Sequence, residues 1–340
     1  MKVLVTGHLG YLGVEMTSRL LAAGHEVVGL DVDYYAGCNF VGPPDDVPNL
    51  RTDLRDVEPL ELEGLDAVIH LAALSNDPLS DLNPNLTYDI NLHASVRLAT
   101  AAKDAGVPRF LFASSCSLYG AGGGAVLDEN AEFNPVTPYG ESKVRVEQAL
   151  SKLADGSFTP VYLRNATAFG TSRRLRADIV VNNLVGYAVT TGKVLLQSDG
   201  TPWRPLVHVI DISHAFERAL VAPRGAVHDQ AFNVGRIGEN YQIRDIANQV
   251  AEVVPGCEVA FTEGASADAR DYQVDFSKIA NSLPGYRPEW TLRRGIEQLY
   301  GDYSRAGLTW EAFDGWQYHR LRTIQRLLQS HELDDALRWS

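Results

Sequence analysis

Residues 1–13, MKVLVTGHLGYLG, decide the fold. An apolar run, Val3–Thr6, leads directly into a loop with glycines at positions 7, 10 and 13, and a helical pattern, Tyr11–Ala23, follows. Glycine permits a tight turn and a close backbone approach to a phosphate, and the helix N-terminus adds partial positive charge there. The spacing GxxGxxG differs from the standard GxGxxG fingerprint, but the strand–loop–helix context is the required one. We therefore predict a dinucleotide site rather than an ordinary glycine-rich turn.

The first half of the chain alternates between apolar runs bounded by turn residues and helical patterns. Within Asp89–Ala105, for example, Leu98 and several alanines recur at helical spacing. This alternation predicts a parallel sheet with right-handed crossovers and helices on both faces. The predicted strands are Val3–Thr6, Glu26–Asp31, Leu50–Thr52, Ala67–Leu71, Arg109–Ser114 and Thr159–Arg164. The fold class is therefore α/β: a Rossmann-type doubly wound parallel sheet with a smaller, mixed C-terminal substrate-binding lobe.

The regularity weakens after Arg164, and the later segments are richer in turns and aromatic residues. Ala231–Gly235 is interpreted as one more strand that returns to the sheet. We expect a nucleotide-binding domain formed by residues 1–168 plus 206–236, and a substrate-binding lobe with the C-terminal tail formed by 169–205 plus 237–340. The tail contains Trp310, Trp316 and Trp339 and is either a helical cover or a surface for a partner.

Composition excludes several classes of protein. The 340 residues are 45% hydrophobic and 21% charged, which is enough for a large core, and their net charge of −13 argues against nucleic acid as a partner. We expect no membrane span, because no apolar run approaches the roughly 20 residues that one needs. The three cysteines lack a metal-ligand spacing, and the N-terminus lacks a signal peptide, so we expect no metal and a cytoplasmic location.

The second predicted strand ends at Asp31, 18 residues after Gly13. A carboxylate there can accept hydrogen bonds from ribose hydroxyls and would repel a 2′-phosphate, and Asp33 follows where an arginine would favour NADP. We therefore predict NAD as the cofactor, although a strand-end Asp that caps a turn is the alternative. Asp53, after the third strand, is expected near the adenine edge or is an ordinary turn residue.

Tyr139 and Lys143 stand four residues apart in TPYGESK, residues 137–143. Thr137 can cap a helix and Pro138 suits its first position, so the Tyr and the Lys share one helical face. An ammonium beside a phenol favours the phenolate, which makes Tyr139 a plausible general base. A surface Tyr and Lys on an amphipathic helix is the alternative, and this motif alone does not exclude it.

Ser115 strengthens the catalytic interpretation. It follows the strand Arg109–Ser114 and precedes Tyr139 by 24 residues. Ligand-binding groups of a parallel sheet lie at the carboxyl ends of its strands. A hydroxyl at this place can share a substrate proton with Tyr139.

With these residues a resemblance becomes specific. TGHLGYLG, HLAA at 70–73, YDIN at 88–91, SSCSLYG and YGESK resemble, in order and spacing, the extended short-chain dehydrogenase/reductases, and within them the NAD-dependent epimerase/dehydratase family of nucleotide-sugar enzymes. The resemblance implies that Tyr139, Lys143 and Ser115 are catalytic and that Asn91 lies near the nicotinamide. It also implies a cofactor site that includes, besides Tyr139 and Lys143, Gly7, Gly10, Tyr11, Leu12, Gly13, Asp31, Asp53, Leu54, Leu71, Ala72, Ala73 and Asn91.

The resemblance further implies a nucleotide-diphosphate sugar as substrate. Residues 199–209, DGTPWRPLVHV, are similar to a family segment whose arginine contacts the substrate diphosphate, which assigns that role to Arg204. Arg270 resembles a second phosphate arginine. Either arginine could instead form a surface ion pair. The other expected substrate-binding residues are Ser75, Ser115, Ser117, Asn165 and Thr167.

The shared reaction of such enzymes begins with oxidation at C4 of the sugar. Family 4,6-dehydratases carry an Asp-Glu pair where this chain has Cys116 and Ser117. We therefore expect a 4-epimerase, which returns the hydride to the opposite face. The alternative is a dehydratase or a 3- or 5-epimerase that uses Cys116 as an acid/base. Cys116 could instead be a small buried residue with no chemical role. A non-catalytic NAD sensor is a remote alternative, since both Tyr139 and Lys143 are present.

The resemblance also implies a homodimer. The helices Asp89–Ala105 and Tyr139–Leu153 resemble the pair that packs against its symmetry mate in this family. Both helices could equally pack within one chain.

Overall fold

The computed structural model describes residues 1–75, 77–80, 82–196, 199–261 and 271–340. The strands are β1 (Lys2–Thr6), β2 (Glu26–Leu30), β3 (Asn49–Leu50), β4 (Ala67–His70), β5 (Arg109–Ser115), β6 (Ala121–Leu127), β7 (Thr159–Asn165), β8 (Thr167–Phe169), β9 (Lys193–Leu196), β10 (Trp203–His208), β11 (Gln230–Val234), β12 (Asn240–Gln242), β13 (Glu258–Phe261) and β14 (Asp271–Val274).

The α-helices are α1 (Tyr11–Ala22), α2 (Asp77–Ser80), α3 (Pro84–Thr87), α4 (Ala94–Asp104), α5 (Pro138–Leu153), α6 (Val180–Thr191), α7 (Val209–Val221), α8 (Arg224–Val227), α9 (Ile243–Val253), α10 (Ser277–Ser282), α11 (Leu292–Arg305), α12 (Trp310–Phe313) and α13 (Arg320–Gln329). A π-helical stretch, Tyr88–His93, leads into α4, and 3₁₀ turns cover Leu54–Asp56, Pro59–Leu62 and Cys116–Tyr119. No helix in the described ranges has the length and apolar composition to cross a membrane.

Within the described residues, seven strands form the main sheet, in the order β11-β7-β5-β4-β1-β2-β3, and every adjacent pair is parallel. The chain builds outward from β1 in both directions, so the point where the strand order reverses lies between β1 and β4. Ligands of such sheets bind in the crevice at the carboxyl ends beside this point. The doubly wound α/β fold and its strands are confirmed, with ends shifted by a residue or two, including the returning strand β11.

Smaller sheets lie outside the main one: β12-β10-β8, β13-β9 and β14-β6. A separate apolar cluster joins α6, α9 and α11, with Val185, Ile246 and Ile296 at its centre. This packing is what a second lobe would require, and the domain boundaries at 168, 205 and 236 stay a prediction.

The tail packs on its own chain. Ile324, Leu327, Leu333 and Leu337 form a buried cluster with Leu74 and Leu79, and Tyr34 packs against it. Burial of each such side chain contributes about 1.5–3 kcal/mol. The tail is therefore a firmly docked element of this chain.

A buried ion pair fixes α5 on the sheet. Arg164 of β7 and Glu147 of α5 are both nearly inaccessible, and Nη2 of Arg164 lies 2.7 Å from Oε2 of Glu147. Arg164 also donates to the Tyr119 hydroxyl at 3.0 Å, and that hydroxyl donates to Oδ1 of Asn233 at 2.8 Å. Removal of one charge from such a pair leaves the other unpaired in a poorly solvated place.

We therefore predict that Glu147→Ala lowers the free energy of unfolding by about 3–5 kcal/mol. Glu141→Ala is the matched control on the same helix, because Glu141 is half exposed and its contact with Arg145 is 3.6 Å. Its effect should stay below about 1 kcal/mol. Urea denaturation of both variants measures the difference, and equal effects would contradict the structural role of the pair.

Candidate active site

A deep cleft runs along the carboxyl edge of the main sheet and encloses about 1050 Å³. The residues at the ends of five parallel strands line it: Gly7 after β1, Asp31 after β2, Leu71 after β4, Ser115 of β5 and Asn165 of β7. Residues of β10, α6 and the tail line the opposite wall. The cleft therefore lies where the strand order predicts a ligand.

The glycine loop has backbone geometry that side chains would prevent. Gly7 has a φ of +70°, and a Cβ there would come within 2.8 Å of the backbone N of Ala72. A Cβ on Gly13 would lie 2.1 Å from the carbonyl oxygen of Gly7. Gly10 begins α1 without any side-chain cap. The positive end of α1 is thus presented to the cleft, which fits a diphosphate.

Asp31 and Asp53 both line the cleft. The Asp31 carboxylate accepts hydrogen bonds from the backbone N–H of Leu9 at 3.0 Å and of Asp33 at 2.8 Å, and burial raises its pKa. Both oxygens of Asp53 are bound by Arg55, at 2.8 and 2.7 Å. Both carboxylates thus lie at the cleft with their orientation fixed, and the expected contact of Asp31 with a ribose hydroxyl stays a prediction.

The three residues expected to be catalytic are brought together. Tyr139, Lys143 and Ser115 all line the cleft, and Thr137 caps α5 as predicted, since its Oγ accepts from the N–H of Gly140 at 3.2 Å. Nζ of Lys143 lies 5.4 Å from the centre of the Tyr139 ring and donates to the carbonyl of Ala113 at 2.7 Å.

Ser115 stands at the end of β5 with its hydroxyl fixed. Its Oγ accepts from the N–H of Ser117 at 3.1 Å and lies 2.9 Å from Oγ of Ser117. Two hydroxyls therefore stand side by side in the cleft.

The expected substrate-binding residues that the structure describes line the same cleft. Ser75, Asn165, Thr167 and Arg204 line it, and Arg204 is 6% exposed with Nη1 donating to the carbonyl of Trp203 at 2.8 Å. Oδ1 of Asn165 is buried without a hydrogen-bond partner among the described residues. Arg270 lies outside the described residues.

Comparison with known proteins decides the family. The family model of the NAD dependent epimerase/dehydratase family matches residues 3–235. The chain belongs to this family. It is 28% identical over 330 residues to the UDP-glucose 4-epimerase of Bacillus subtilis (strain 168), covering 89% of this chain and 95% of that one.

Two solved structures agree with this assignment. MoeE5 in complex with UDP-glucuronic acid and NAD is 27% identical, with a TM-score of 0.76 and coverage of 90% of this chain and 100% of that one. The UDP-glucose 4-epimerase of Thermus thermophilus in complex with NAD is 27% identical, with a TM-score of 0.73 and coverage of 89% and 99%. The predicted family, fold class and NAD cofactor are confirmed, and the chain is an NAD-dependent sugar epimerase/dehydratase.

Two residues expected in the site of this epimerase/dehydratase do not line the cleft. Cys116 is fully buried in the core, its thiol donates to the carbonyl of Arg164 at 3.2 Å, and burial raises its pKa far above the ordinary value. Ser115 ends β5 and lines the cleft, whereas Cys116 begins the 3₁₀ turn Cys116–Tyr119 and packs into the apolar core. The structure therefore gives no support to a catalytic role for Cys116 and favours the alternative, a small buried filler.

Asn91 is the second of these residues. Its amide is buried, accepts from the N–H of Leu74 at 2.8 Å and donates to the carbonyl of Leu74 at 3.1 Å. Asn91 is not among the residues that line the cleft, whereas Leu74 is. The amide therefore positions the chain segment after β4, and its place near the nicotinamide stays a prediction.

Several cleft residues escaped sequence reasoning. Arg176 and Asp178 form a two-contact ion pair, at 2.8 and 3.1 Å, and Nη1 of Arg176 lies 3.4 Å from Oγ of Ser75. Arg174 and Arg176, at alternate positions shortly after β8, are a sequence signal from which a charged contact in the cleft could have been predicted. Arg320 of α13 and Tyr35 also line the cleft, and no local pattern announces Arg320, which is far away in sequence.

Burial lowers the pKa of Lys143 to about 7. In the protein without cofactor, the unfolded chain therefore binds more protons than the folded one between about pH 7 and the ordinary lysine value near 10.4. The free energy of unfolding must rise with pH across this window because of Lys143. The slope contributed by one such group is at most about 1.4 kcal/mol per pH unit.

We predict that the stability of the wild type relative to Lys143→Met rises from pH 7 to pH 9.5. Urea denaturation of the cofactor-free proteins at several pH values measures it. Lys152→Met, an exposed site on the same helix, is the control and should leave the pH dependence of the wild type intact. A difference in the free energy of unfolding between wild type and Lys143→Met that does not change with pH would contradict the lowered pKa of Lys143.

Proposed function

We propose that this enzyme is a 4-epimerase of a nucleotide-diphosphate sugar. Its relatives include UDP-glucose 4-epimerases, and MoeE5 is seen in complex with UDP-glucuronic acid and NAD, which supports a UDP-sugar as the substrate. The proposal rests on the set of groups that face the cleft around Ser115.

Tyr139 takes the proton of the C4 hydroxyl, and Ser115 holds that hydroxyl between its own Oγ and the phenol. Lys143, when protonated, favours the phenolate of Tyr139 by its charge, and its hydrogen bond to the carbonyl of Ala113 ties α5 to β5. The glycine loop and Asp31 would hold NAD, which when bound would supply the hydride acceptor and, once reduced, the hydride donor. In the return step Tyr139 gives the proton back to the C4 oxygen after the sugar has turned over.

The residues beside Ser115 favour an epimerase over a 4,6-dehydratase. A 4,6-dehydratase must remove a C5 proton and protonate a departing C6 hydroxyl, and each task needs a positioned acid or base. The two residues that follow Ser115 are a thiol buried in the core and the hydroxyl of Ser117.

The carboxylates that line the cleft in the described ranges have other partners. Asp178 is paired with Arg176, Asp53 with Arg55 and Asp314 with Arg322, while Asp31 accepts two backbone N–H bonds. Epimerisation needs none of them as an acid or base. The groups available at the site therefore favour proton and hydride exchange at C4 alone.

Turnover of the 4-keto sugar requires that the nucleotide be held more firmly than the sugar. Arg204, on β10 across the cleft from Ser115, is the proposed anchor for the substrate diphosphate, because a guanidinium gives two charged hydrogen bonds to phosphate. Ser75, Asn165 and Thr167 offer only neutral groups to the sugar. Such contacts allow the ring to rotate between its two faces.

We predict that Tyr139→Phe loses nearly all turnover, a fall of about 10²–10⁴-fold or more, while NAD stays bound. The ring and its packing remain, and only the base is removed. Steady-state assay together with the absorbance of retained cofactor measures both properties. Normal turnover by this variant would contradict the proposed mechanism.

The choice of reaction is tested with a panel of nucleotide sugars in deuterated water. We predict a 4-epimer as product, analysed by NMR, with no deuterium at C3 or C5, and near-normal activity of Cys116→Ser with the same outcome. Deuterium at C5 or C3 would instead indicate a dehydratase or a 3- or 5-epimerase. Loss of activity in Cys116→Ser together with such uptake would restore a chemical role to the thiol.

We also propose that the enzyme is a homodimer, since twofold pairing is the commonest oligomer. The apolar stripes of α4 and α5 pack within the chain, and the residues exposed on the two helices are polar, among them Arg97, Thr100, Arg145 and Gln148. The expected interface is therefore polar. Light scattering at micromolar concentration should give twice the chain mass of 37.2 kDa, and a monomeric mass would contradict it.

A further inference from the structure

The C-terminal tail reaches back across the molecule to the segment that follows β2. Nε1 of Trp339 donates to the carbonyl of Val32 at 2.6 Å, and the Tyr34 hydroxyl donates to the carbonyl of Leu337. Nη1 of Arg55 donates to the carbonyl of Ala336 at 2.8 Å. Val32 and Tyr34 line the cleft directly after Asp31. The tail is thus joined to the side of the cleft where the adenosine half of NAD is expected.

Arg320, the first residue of α13, lines this cleft although it is only 2% exposed. Its guanidinium lies 4.0 Å from the centre of the Tyr35 ring, and Nη2 donates to the carbonyl of Arg174 at 2.9 Å. Its Nη1 is buried and has no hydrogen-bond partner among the described residues. A buried charged donor without an acceptor is costly, so Nη1 of Arg320, which lies at the cleft, is suited to bind an anion there.

The carboxylates around Arg320 meet other groups, although Oδ1 of Asp33 has only an ion-pair contact with Arg174 and no hydrogen bond. Asp33 pairs with Arg174 at 3.1 Å, and Asp178 pairs with Arg176 at 2.8 Å. Asp31 accepts from two backbone N–H groups. None of these carboxylates accepts a hydrogen bond from Nη1 of Arg320, so this N–H group is available to an anion in the cleft.

The same region is tied to the glycine loop. The hydroxyl of Tyr11, the first residue of α1, donates to the carbonyl of Gly170 at 2.8 Å, and Oγ of Ser172 donates to the carbonyl of Tyr11 at 2.9 Å. The segment that accepts the Arg320 hydrogen bond therefore packs on the N-terminus of α1. A diphosphate held by that N-terminus lies beside this segment.

We propose that Arg320 binds the diphosphate of NAD, so that the C-terminal tail completes the cofactor site. Two diphosphates enter this cleft, that of the cofactor and that of the nucleotide sugar. Arg320 stacks on Tyr35, which follows Asp31 on the adenosine side, whereas Arg204 lies on β10. The position of Arg320 therefore favours the diphosphate of the cofactor.

The test compares dissociation constants of NAD, ADP, adenosine and UDP for the full-length protein freed of cofactor, by calorimetry. Arg320→Gln should weaken NAD and ADP by roughly 10- to 100-fold and leave adenosine and UDP unchanged. Arg320→Lys keeps the charge and should lose less. Arg326→Gln is the matched control on the same helix. Arg326 Nε is likewise buried without a hydrogen-bond partner among the described residues, but Arg326 pairs with Glu332 at 3.1 Å and does not line the cleft.

Adenosine reports whether the site is intact. Equal losses for adenosine and ADP would show a structural role and overturn the proposal, as would unchanged NAD affinity. A loss for UDP alone would assign Arg320 to the substrate. If Arg320→Gln does not fold, the same comparison is made with Arg320→Lys: the loss of affinity for ADP relative to wild type is set against the loss for adenosine. Arg204→Ala should show the converse pattern, weaker UDP with unchanged NAD, and its failure would count against the proposed function but not against Arg320.

Discussion

The common direction of the strands in the main sheet is the constraint on which the site depends. Since all of them are parallel, their carboxyl ends meet at one edge, and residues distant in sequence come together there. Gly7, Asp31, Ser115 and Asn165 owe their proximity to this arrangement. No single loop could bring a phosphate loop, a ribose acceptor and a catalytic hydroxyl into one cleft.

Burial of charge fixes the finer geometry. Lys143 is held by the carbonyl of Ala113, and the Arg164–Glu147 pair fastens the same helix to the next strand. Tyr139 stands in the first turn of that helix, so these interactions set the position of its phenol. The groups that hold α5 on the sheet therefore also position its first turn, and with it the residue proposed as the general base.

Local chemistry explains which features could be predicted from sequence. The glycine loop, the Thr137 cap and the end of β5 depend on residues close in sequence, and the structure has them. The burial of Cys116 depends on the 3₁₀ turn that begins directly after β5, and no residue pattern in the sequence indicates that turn. Asn91 lies in a π-helical segment and its amide binds the backbone of Leu74, while Arg320 stacks on Tyr35, which is distant in sequence. Neither contact can be predicted from a local sequence pattern.

The central claim is that hydride leaves C4 of a nucleotide sugar and returns to C4. A UDP-sugar substrate that carries deuterium at C4 tests it most directly, with NMR of the product after a single turnover. A 4-epimerase leaves the deuterium on C4 of the inverted sugar, and this is the result expected. Deuterium on C6 of a deoxygenated product would mean that the hydride is delivered elsewhere and would contradict the proposed reaction.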